Sequence, residues 1–188
     1  MQRISRVRLA LVTTGVASLV LASSVVAGAA SMSTSITGKY NAAAAKLVPA
    51  SFKGMTLQVA SDATYAPDES MKGAKVVGFD VDLINAIAKT LGIKVKVNNV
   101  VFDSIILGIG SGRYQIGVSS FTDNKAREKS VNFVDYFQAG EGVYAKSSSK
   151  VKFSGLKSFC GLKVAVETGT IEQKDAQNTA KTCPAGKK

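Results

Sequence analysis

Histidine and tryptophan are absent from the 188 residues, and cysteine occurs only twice. Without histidine, the chain cannot build a Ser-His-Asp or Cys-His catalytic arrangement, and it lacks the commonest side-chain ligand of transition metals. Neither a Walker-type phosphate loop nor a Gly-x-Gly-x-x-Gly dinucleotide fingerprint occurs in the sequence. These absences argue against histidine-dependent hydrolysis and against a bound nucleotide, metal or cofactor.

Acidic residues are also scarce: 13 of them stand against 24 lysines and arginines, which gives a formal net charge of +11. The lysines are scattered along the chain, and only eight phenylalanines and five tyrosines accompany them. This pattern is not that of a nucleic-acid-binding surface. We therefore expect no nucleic-acid partner and interpret the charge as solvation, with some attraction to an anionic cell surface.

Residues 1–30 have the pattern of a secretory signal peptide. Arg3, Arg6 and Arg8 precede an uncharged, mostly apolar run that ends in small residues, and no cysteine follows for lipid attachment. We therefore predict export to the periplasm or the cell exterior. An uncleaved membrane anchor is the alternative, because the run approaches the roughly 20 residues that cross a bilayer.

The two cysteines are Cys160 and Cys183. In the oxidising environment of an exported chain such a pair usually forms a disulfide. A loop of this length would contribute on the order of 3 kcal/mol in the chain-entropy model. Two unrelated buried thiols are the alternative, and the spacing is too wide for the Cys-x-x-Cys motif of redox catalysis.

The rest of the chain divides into a linker and a series of alternating strands and helices. Small and polar residues at 31–54 predict a linker that is at most partly helical. Apolar periodicity then predicts strands at 55–60, 93–101 and 115–119, with helices at 80–91 and 103–109 between them. This order is typical of a parallel sheet with helices on its faces.

Further along, apolar runs predict strands at 131–134, 143–145 and 162–166, followed by a helix at 172–180. A hydroxyl-rich stretch at 147–150 marks a boundary, so we assign 55–146 to one α/β unit and 147–188 to the start of another. Asp80 and Asp82 stand at the start of the first helix. We interpret Asp80 as its N-cap rather than as part of an acid–base pair, and Gly92 as its C-cap.

The candidate binding site consists of loops at the carboxyl ends of the predicted parallel strands, where open α/β sheets bind ligands. One loop offers Asp62 and Tyr65, and another offers hydroxyls and Arg127. A third, at 168–170, leads into a helix whose free amides suit an anion. Together they would hold a small zwitterion, with Arg127 paired to its carboxylate and Tyr65 over its apolar part.

Six segments, taken in order, resemble the extracellular solute-binding proteins, family 3, of polar amino-acid ABC transporters: 76–83, 102–106, 112–116, 119–127, 131–137 and 161–170. The resemblance covers roughly residues 55–176. It implies a two-lobed periplasmic-binding-protein-like α/β fold that closes on an amino acid by hinge bending. By the same resemblance the first lobe is nearly complete and the second only begun, so we expect a C-terminally truncated member.

The resemblance also implies a set of ligand-contacting positions: Asp62, Tyr65, Phe102, Ser119, Ser120, Thr122, Arg127, Thr170 and Ile171. In the family, the arginine at the position of Arg127 binds the ligand α-carboxylate, and aromatic or apolar residues at the positions of Tyr65 and Phe102 enclose the ligand side chain. The hydroxyl positions hold the amino or carboxylate groups, and the Thr170 and Ile171 positions form the anion-binding helix start. An acid at position 62 accompanies polar or cationic ligands.

Each of these residues also has a purely structural alternative. Arg127 could be a surface ion-pair residue, Tyr65 a packed ring, and Ser119 or Thr122 a helix cap.

The function that the resemblance implies is that of a monomeric, non-enzymatic receptor. It would bind a free polar or cationic amino acid outside the membrane and deliver it to the permease of an ABC transporter. An enzyme on the same scaffold, such as a dehydratase or the regulatory domain of a cell-wall lytic protein, is one alternative, and the sensory domain of a membrane receptor is another.

Overall fold

The computed structural model describes residues 36–187. The predicted signal peptide and the start of the predicted linker lie outside these residues. The helices are α1 (Ala42–Lys46), α2 (Phe79–Leu91), α3 (Ile105–Gly110) and α4 (Ile171–Thr182). The strands are β1 (Thr56–Ser61), β2 (Thr64–Tyr65), β3 (Glu69–Lys72), β4 (Lys75–Val77), β5 (Lys94–Asn99) and β6 (Ile116–Gly117).

A parallel sheet forms the centre of the fold, with β1 between β5 and β6. In its register Val59 lies opposite Val97 on one side and Ile116 on the other. The predicted alternation of strands and helices is therefore confirmed as a parallel α/β arrangement. A second sheet, which the sequence did not predict, is antiparallel and has the order β2-β3-β4.

The core lies on both faces of β1, because successive side chains of a strand point to opposite faces. Val59 packs with Ile84 of α2, whereas the next residue, Ala60, packs with Phe102 and with Ile105 of α3. Helices α2 and α3 therefore cover opposite faces of the parallel sheet. Each fully buried aliphatic side chain in such a layer contributes roughly 1.5–3 kcal/mol of transfer free energy.

The start of α2 differs from the prediction. Its N-cap is Gly78, not Asp80, and backbone carbonyls of Pro67 and Asp68 accept hydrogen bonds from the first helical amides. No side-chain cap is needed there, so the Asp80 carboxylate is free to bond elsewhere. The predicted C-cap is confirmed, since Gly92 has φ 66° and its N–H donates to carbonyls of the last turn.

The three later strands are not formed. The segments 131–134, 143–145 and 162–166 have no ladder partner within residues 36–187, and Val134 and Tyr144 are 87% and 98% exposed. The prediction of a buried strand at 162–166 is therefore wrong for this structure. An apolar run indicates the tendency to form a strand, but a neighbouring strand is required to satisfy its amides and carbonyls.

The two ends of the described chain are each held by a specific contact. At the first, the Asn41 N–H donates to the Thr90 carbonyl of α2, at 2.9 Å. At the other, a disulfide joins Cys160 to Cys183 at the end of α4, with 5.5 Å between their Cα atoms. The predicted disulfide and the predicted helix at 172–180 are thus confirmed. None of the helices within 36–187 has the length and apolarity to cross a membrane.

Removing the disulfide tests its contribution to stability. Replacing both Cys160 and Cys183 by serine should lower the free energy of unfolding by on the order of 3 kcal/mol. The two positions are 23 residues apart, and without the disulfide the unfolded chain regains the entropy that closing this loop removes. Urea unfolding of the oxidised protein and of the double variant measures the difference, and the reduced protein is the matched control. Equal midpoints for all three would contradict the prediction.

Candidate functional site

The carboxyl ends of β1, β5 and β6 meet at one edge of the parallel sheet. Asp62 follows β1, Phe102 begins the turn after β5, and Ser119 and Ser120 follow β6. Two backbone hydrogen bonds tie these loops together: Val100 N–H donates to Ser61, and Val118 N–H donates to Ala60. The parallel topology therefore brings four of the predicted site residues to one place.

Asp62 is buried, and both of its carboxylate oxygens accept hydrogen bonds from the protein. Oδ1 accepts from the Thr64 N–H at 3.1 Å and hydroxyl at 2.7 Å, whereas Oδ2 accepts from the Phe102 N–H at 2.8 Å. Its own N–H donates to the Ser119 hydroxyl at 3.0 Å. Asp62 thus joins the three strand-end loops. Because both of its oxygens already accept hydrogen bonds, its carboxylate would act on a ligand through its negative charge rather than through a direct hydrogen bond.

Arg127 lies over a pair of stacked aromatic rings. The rings of Phe102 and Phe121 have centroids 4.1 Å apart, and the guanidinium carbon lies 5.0 Å from the Phe121 centroid and 5.8 Å from that of Phe102. Its Nη1 donates to the Thr122 carbonyl at 2.7 Å, and its Nη2 donates to the Gly169 carbonyl at 2.9 Å. Two hydrogen bonds and two cation–π contacts therefore fix its orientation.

The start of α4 lies beside this arginine. Gly169 has φ 84°, and a Cβ there would lie 2.8 Å from that of Asp103, so only glycine suits the turn. The hydroxyl of Thr170 accepts from the Gln173 N–H at 3.2 Å and caps the helix. Thr170 and Ile171 directly follow Gly169, whose carbonyl accepts from Arg127, so the start of α4 lies next to the guanidinium in space.

The two serines after β6 are held by buried acids. Ser119 donates its hydroxyl proton to Glu69, and Ser120 donates its N–H to Oδ2 of Asp80 at 2.9 Å. The same oxygen of Asp80 accepts from the Tyr136 hydroxyl at 2.8 Å. Ser120 has φ 44°, a left-handed conformation that costs energy for a non-glycine residue and that these hydrogen bonds stabilise.

Tyr65 is the predicted site residue that the structure connects least. Its side chain is 56% exposed, and no hydrogen bond or ring contact of that side chain to another predicted site residue occurs within 36–187. Its strand β2 pairs with β3, opposite Glu69. The ring is therefore available to cover a ligand, but its placement is set by the second sheet.

Sequence reasoning did not single out Phe121 and Glu167, which lie beside Arg127 and near the start of α4, or Glu69, which is buried behind Ser119. Phe121 stood within a predicted loop, where the stacking partner of its ring was not visible in the sequence. Glu69 lies in a short polar strand without apolar alternation, so its burial had no sequence signal.

Glu167 lies among other carboxylates near the start of α4. Partial burial raises the pKa of Glu167, and the negative charges of Asp62, Glu172 and Asp103 raise it further. Four carboxylates therefore create a negative potential beside the Arg127 guanidinium. A site with this charge distribution suits a molecule that carries both a carboxylate and a positive group.

The described residues form an α/β unit whose parallel sheet carries, at its strand-end loops, a half-buried arginine. The chain belongs to the bacterial extracellular solute-binding proteins, family 3, whose family model matches residues 57–182.

Among curated proteins, it is 33% identical over 118 residues to the arginine-binding extracellular protein ArtP of Bacillus subtilis, covering 62% of this chain and 46% of that protein. It is 37% identical over 124 residues to a probable histidine-binding protein of Neisseria gonorrhoeae, with 64% and 46% coverage. The chain thus spans about half the length of the curated relatives it matches.

Solved structures agree with this membership. An ancestral arginine-binding protein bound to arginine has 36% identity and a TM-score of 0.64, over 68% of this chain and 57% of that one. Holo ArgBP from T. maritima has 30% identity and a TM-score of 0.62, over 65% and 55%. These similarities confirm the predicted family and the α/β class of its fold.

Asp62 provides a test of the strand-end geometry. Asp62→Asn should lower the free energy of unfolding by about 1–3 kcal/mol, because the amide NH₂ must face either the Phe102 N–H or the Thr64 donors. Urea unfolding measures the loss. Asp135→Asn, at an exposed carboxylate, is the matched control and should be silent. Equal stability of both variants would contradict this account of Asp62.

Proposed function

We propose that this chain contributes to an extracellular receptor for a free amino acid with a polar or cationic side chain. The observation that carries the proposal is the placement of Arg127, held by backbone carbonyls of Thr122 and Gly169 over two phenylalanine rings. Its guanidinium lies between the loop after β6 and the start of α4, where a ligand carboxylate would be bound.

Arg127 retains the capacity to bind a carboxylate. A guanidinium has five N–H groups, and its recorded hydrogen bonds use only Nη1 and Nη2, once each. In the described part of the chain, the only salt bridge joins Lys125 to Glu128, so Arg127 is not paired with an acid there. Burial lowers the pKa of Arg127, and the negative charge of Glu172 offsets this only in part.

The positive part of the ligand would lie towards the acidic residues. Asp62, Asp103, Glu167 and Glu172 together favour an ammonium, guanidinium or imidazolium group. The relatives agree with this preference, since they include proteins described as arginine-binding and as probable histidine-binding. The ancestral arginine-binding protein has also been solved with glutamine bound, so a polar neutral ligand belongs in the same test.

As a member of this family, the receptor would work outside the membrane and pass its ligand to an ABC permease. The proposed contacts of Ser119, Ser120, Thr122, Thr170 and Ile171 with ligand polar groups, and of Tyr65 and Phe102 with its side chain, belong to the same hypothesis. An enzyme is the second candidate because one solved neighbour, at 32% identity and a TM-score of 0.62, is described as an ancestral amino acid-binding protein that is a precursor of cyclohexadienyl dehydratase.

The arginine assignment predicts a large loss of affinity when the charge is removed. Arg127→Met should weaken the binding of arginine, histidine and glutamine alike by tenfold or more, since a charge-assisted hydrogen bond contributes roughly 1.5–3 kcal/mol. Calorimetric titration measures the dissociation constants. Arg113→Met, at an exposed turn between α3 and β6, is the matched control. Unchanged affinity in Arg127→Met would refute the carboxylate assignment.

The acidic residues predict a change of selectivity. Glu167→Gln should weaken the binding of arginine several-fold and leave glutamine binding nearly unchanged, because only the cationic ligand gains from that carboxylate. The measured quantity is the ratio of the two dissociation constants at neutral pH and at two salt concentrations. A ratio equal to that of the unsubstituted protein would show that the ligand side chain does not approach Glu167.

A further inference from the structure

Two acidic side chains, Glu69 of β3 and Asp80 of α2, are completely buried behind the loop after β6. No salt bridge reaches either of them within the described residues. Two ionised carboxylates side by side in a protein interior would be strongly unfavourable, because each loses its hydration and each repels the other. Burial of the pair therefore favours a state in which one of the two carboxyl groups is protonated.

The hydrogen bonds of the pair leave one oxygen on each carboxyl group unused. Glu69 accepts from Ser119 through Oε1, and Asp80 accepts from Ser120 and Tyr136 through Oδ2. The other two oxygens, Glu69 Oε2 and Asp80 Oδ1, are buried without a partner from the described residues. The Glu69 and Asp80 side chains lie within hydrogen-bond reach of each other, so one proton shared between them would give both groups a partner, because a protonated carboxyl group donates one O–H.

The electrostatic environment favours Glu69 as the residue that holds this proton. Burial, the hydrogen bond and charge of Asp80, and the charge of Asp68 together raise the pKa of Glu69 from 4.5 to about 9, although the hydrogen bond from Ser119 acts in the opposite direction. On the other side of Asp80, burial and the Asp80 carboxylate raise the pKa of Tyr136, so its hydroxyl stays protonated and donates.

The titratable groups around the pair are few. Asp68 precedes β3 and accepts from the Ser120 hydroxyl at 3.2 Å, while Tyr136 approaches Asp80 from the segment that follows the site. Asp62 lies beyond Ser119, whose hydroxyl it contacts through its backbone N–H. All of these are acids or neutral donors, and no salt bridge within residues 36–187 brings a cation to the pair, so a bound proton would supply the positive charge.

We propose that Glu69 and Asp80 share one buried proton and act together as positioning residues that fix Ser119 and Ser120 at the ligand site. The pair sets the rotamer of the Ser119 hydroxyl and holds Ser120 in its left-handed backbone conformation. That these serines face an amino acid rests on the function proposed above, whereas the shared proton does not.

Amide substitutions test the pair in both directions. In Glu69→Gln the amide oxygen accepts from Ser119 and the NH₂ donates to Asp80, which imitates the protonated acid. In Asp80→Asn the amide oxygen accepts from Ser120 and the NH₂ donates to Glu69, which then ionises. Each single variant should keep arginine affinity within about threefold of the unsubstituted protein, since no hydrogen bond is lost.

The double variant Glu69→Gln/Asp80→Asn has no such solution, because two NH₂ groups face each other. Its arginine affinity should fall at least tenfold, or its unfolding equilibrium constant should rise by a comparable factor, and this effect should be far larger than the two single effects combined. Single variants as damaging as the double would overturn the proposal, and so would an additive double variant.

The proton itself is measured without any ligand. With ¹³C-labelled carboxyl groups, NMR titration should show Glu69 titrating near pH 9, and a value near 4.5 would overturn the proposal. The folded protein keeps a proton on Glu69 that the unfolded chain releases above pH 4.5. The folding equilibrium constant should therefore decrease about tenfold for each pH unit between 4.5 and 9. Glu69→Gln should lack this part of the slope.

The ligand and proton measurements separate the two hypotheses. If no amino acid binds to the unsubstituted protein, the proposed function fails while the NMR titration still decides on the shared proton. If arginine binds but Glu69 titrates near its ordinary pKa, the proposed function stands and the shared proton is excluded.

Discussion

The parallel pairing of β1 with both β5 and β6 is the constraint on which the rest of this structure depends. It places Val59 and Ala60 on opposite faces, where α2 and α3 cover them, and so it determines both halves of the core. It also delivers the ends of three strands to one edge. The buried carboxylate of Asp62 can then hold the turn at Phe102, because that turn begins within hydrogen-bond distance of the end of β1.

The candidate site combines an arginine whose orientation is already fixed with acidic residues that differ in burial and hydrogen bonding. Arg127 is oriented by backbone carbonyls and aromatic rings, contacts that do not neutralise its charge. Both carboxylate oxygens of Asp62 accept hydrogen bonds from the protein. Glu167 is exposed among other carboxylates, whereas Glu69 is fully buried. The difference lies in solvation: a carboxylate at the surface contributes charge, whereas a buried one contributes hydrogen-bond geometry.

Much of the fold could be predicted from the sequence because local patterns carried it. Apolar periodicity located β1, α2 and β5, and Gly92 marked a helix end through its left-handed conformation. The helix predicted at 172–180, where α4 lies, was recognised as a polar segment after an apolar run. The strands predicted after residue 130 did not form, because pairing depends on a neighbour that a periodic pattern cannot supply. Asp80 was misassigned as a cap for a related reason, since the carbonyls that satisfy the α2 amides come from a distant loop.

The contacts of Arg127 have a kinetic consequence. Its guanidinium is partly dehydrated, and its rotamer is fixed by the folded protein without a ligand. Little further side-chain entropy would therefore be lost when a ligand binds to it. A preorganised anchor of this kind needs little rearrangement during encounter. Under the role proposed for Arg127, differences among ligands that share an α-carboxylate should then appear mainly in the dissociation rate, which depends on the groups that lie away from this arginine.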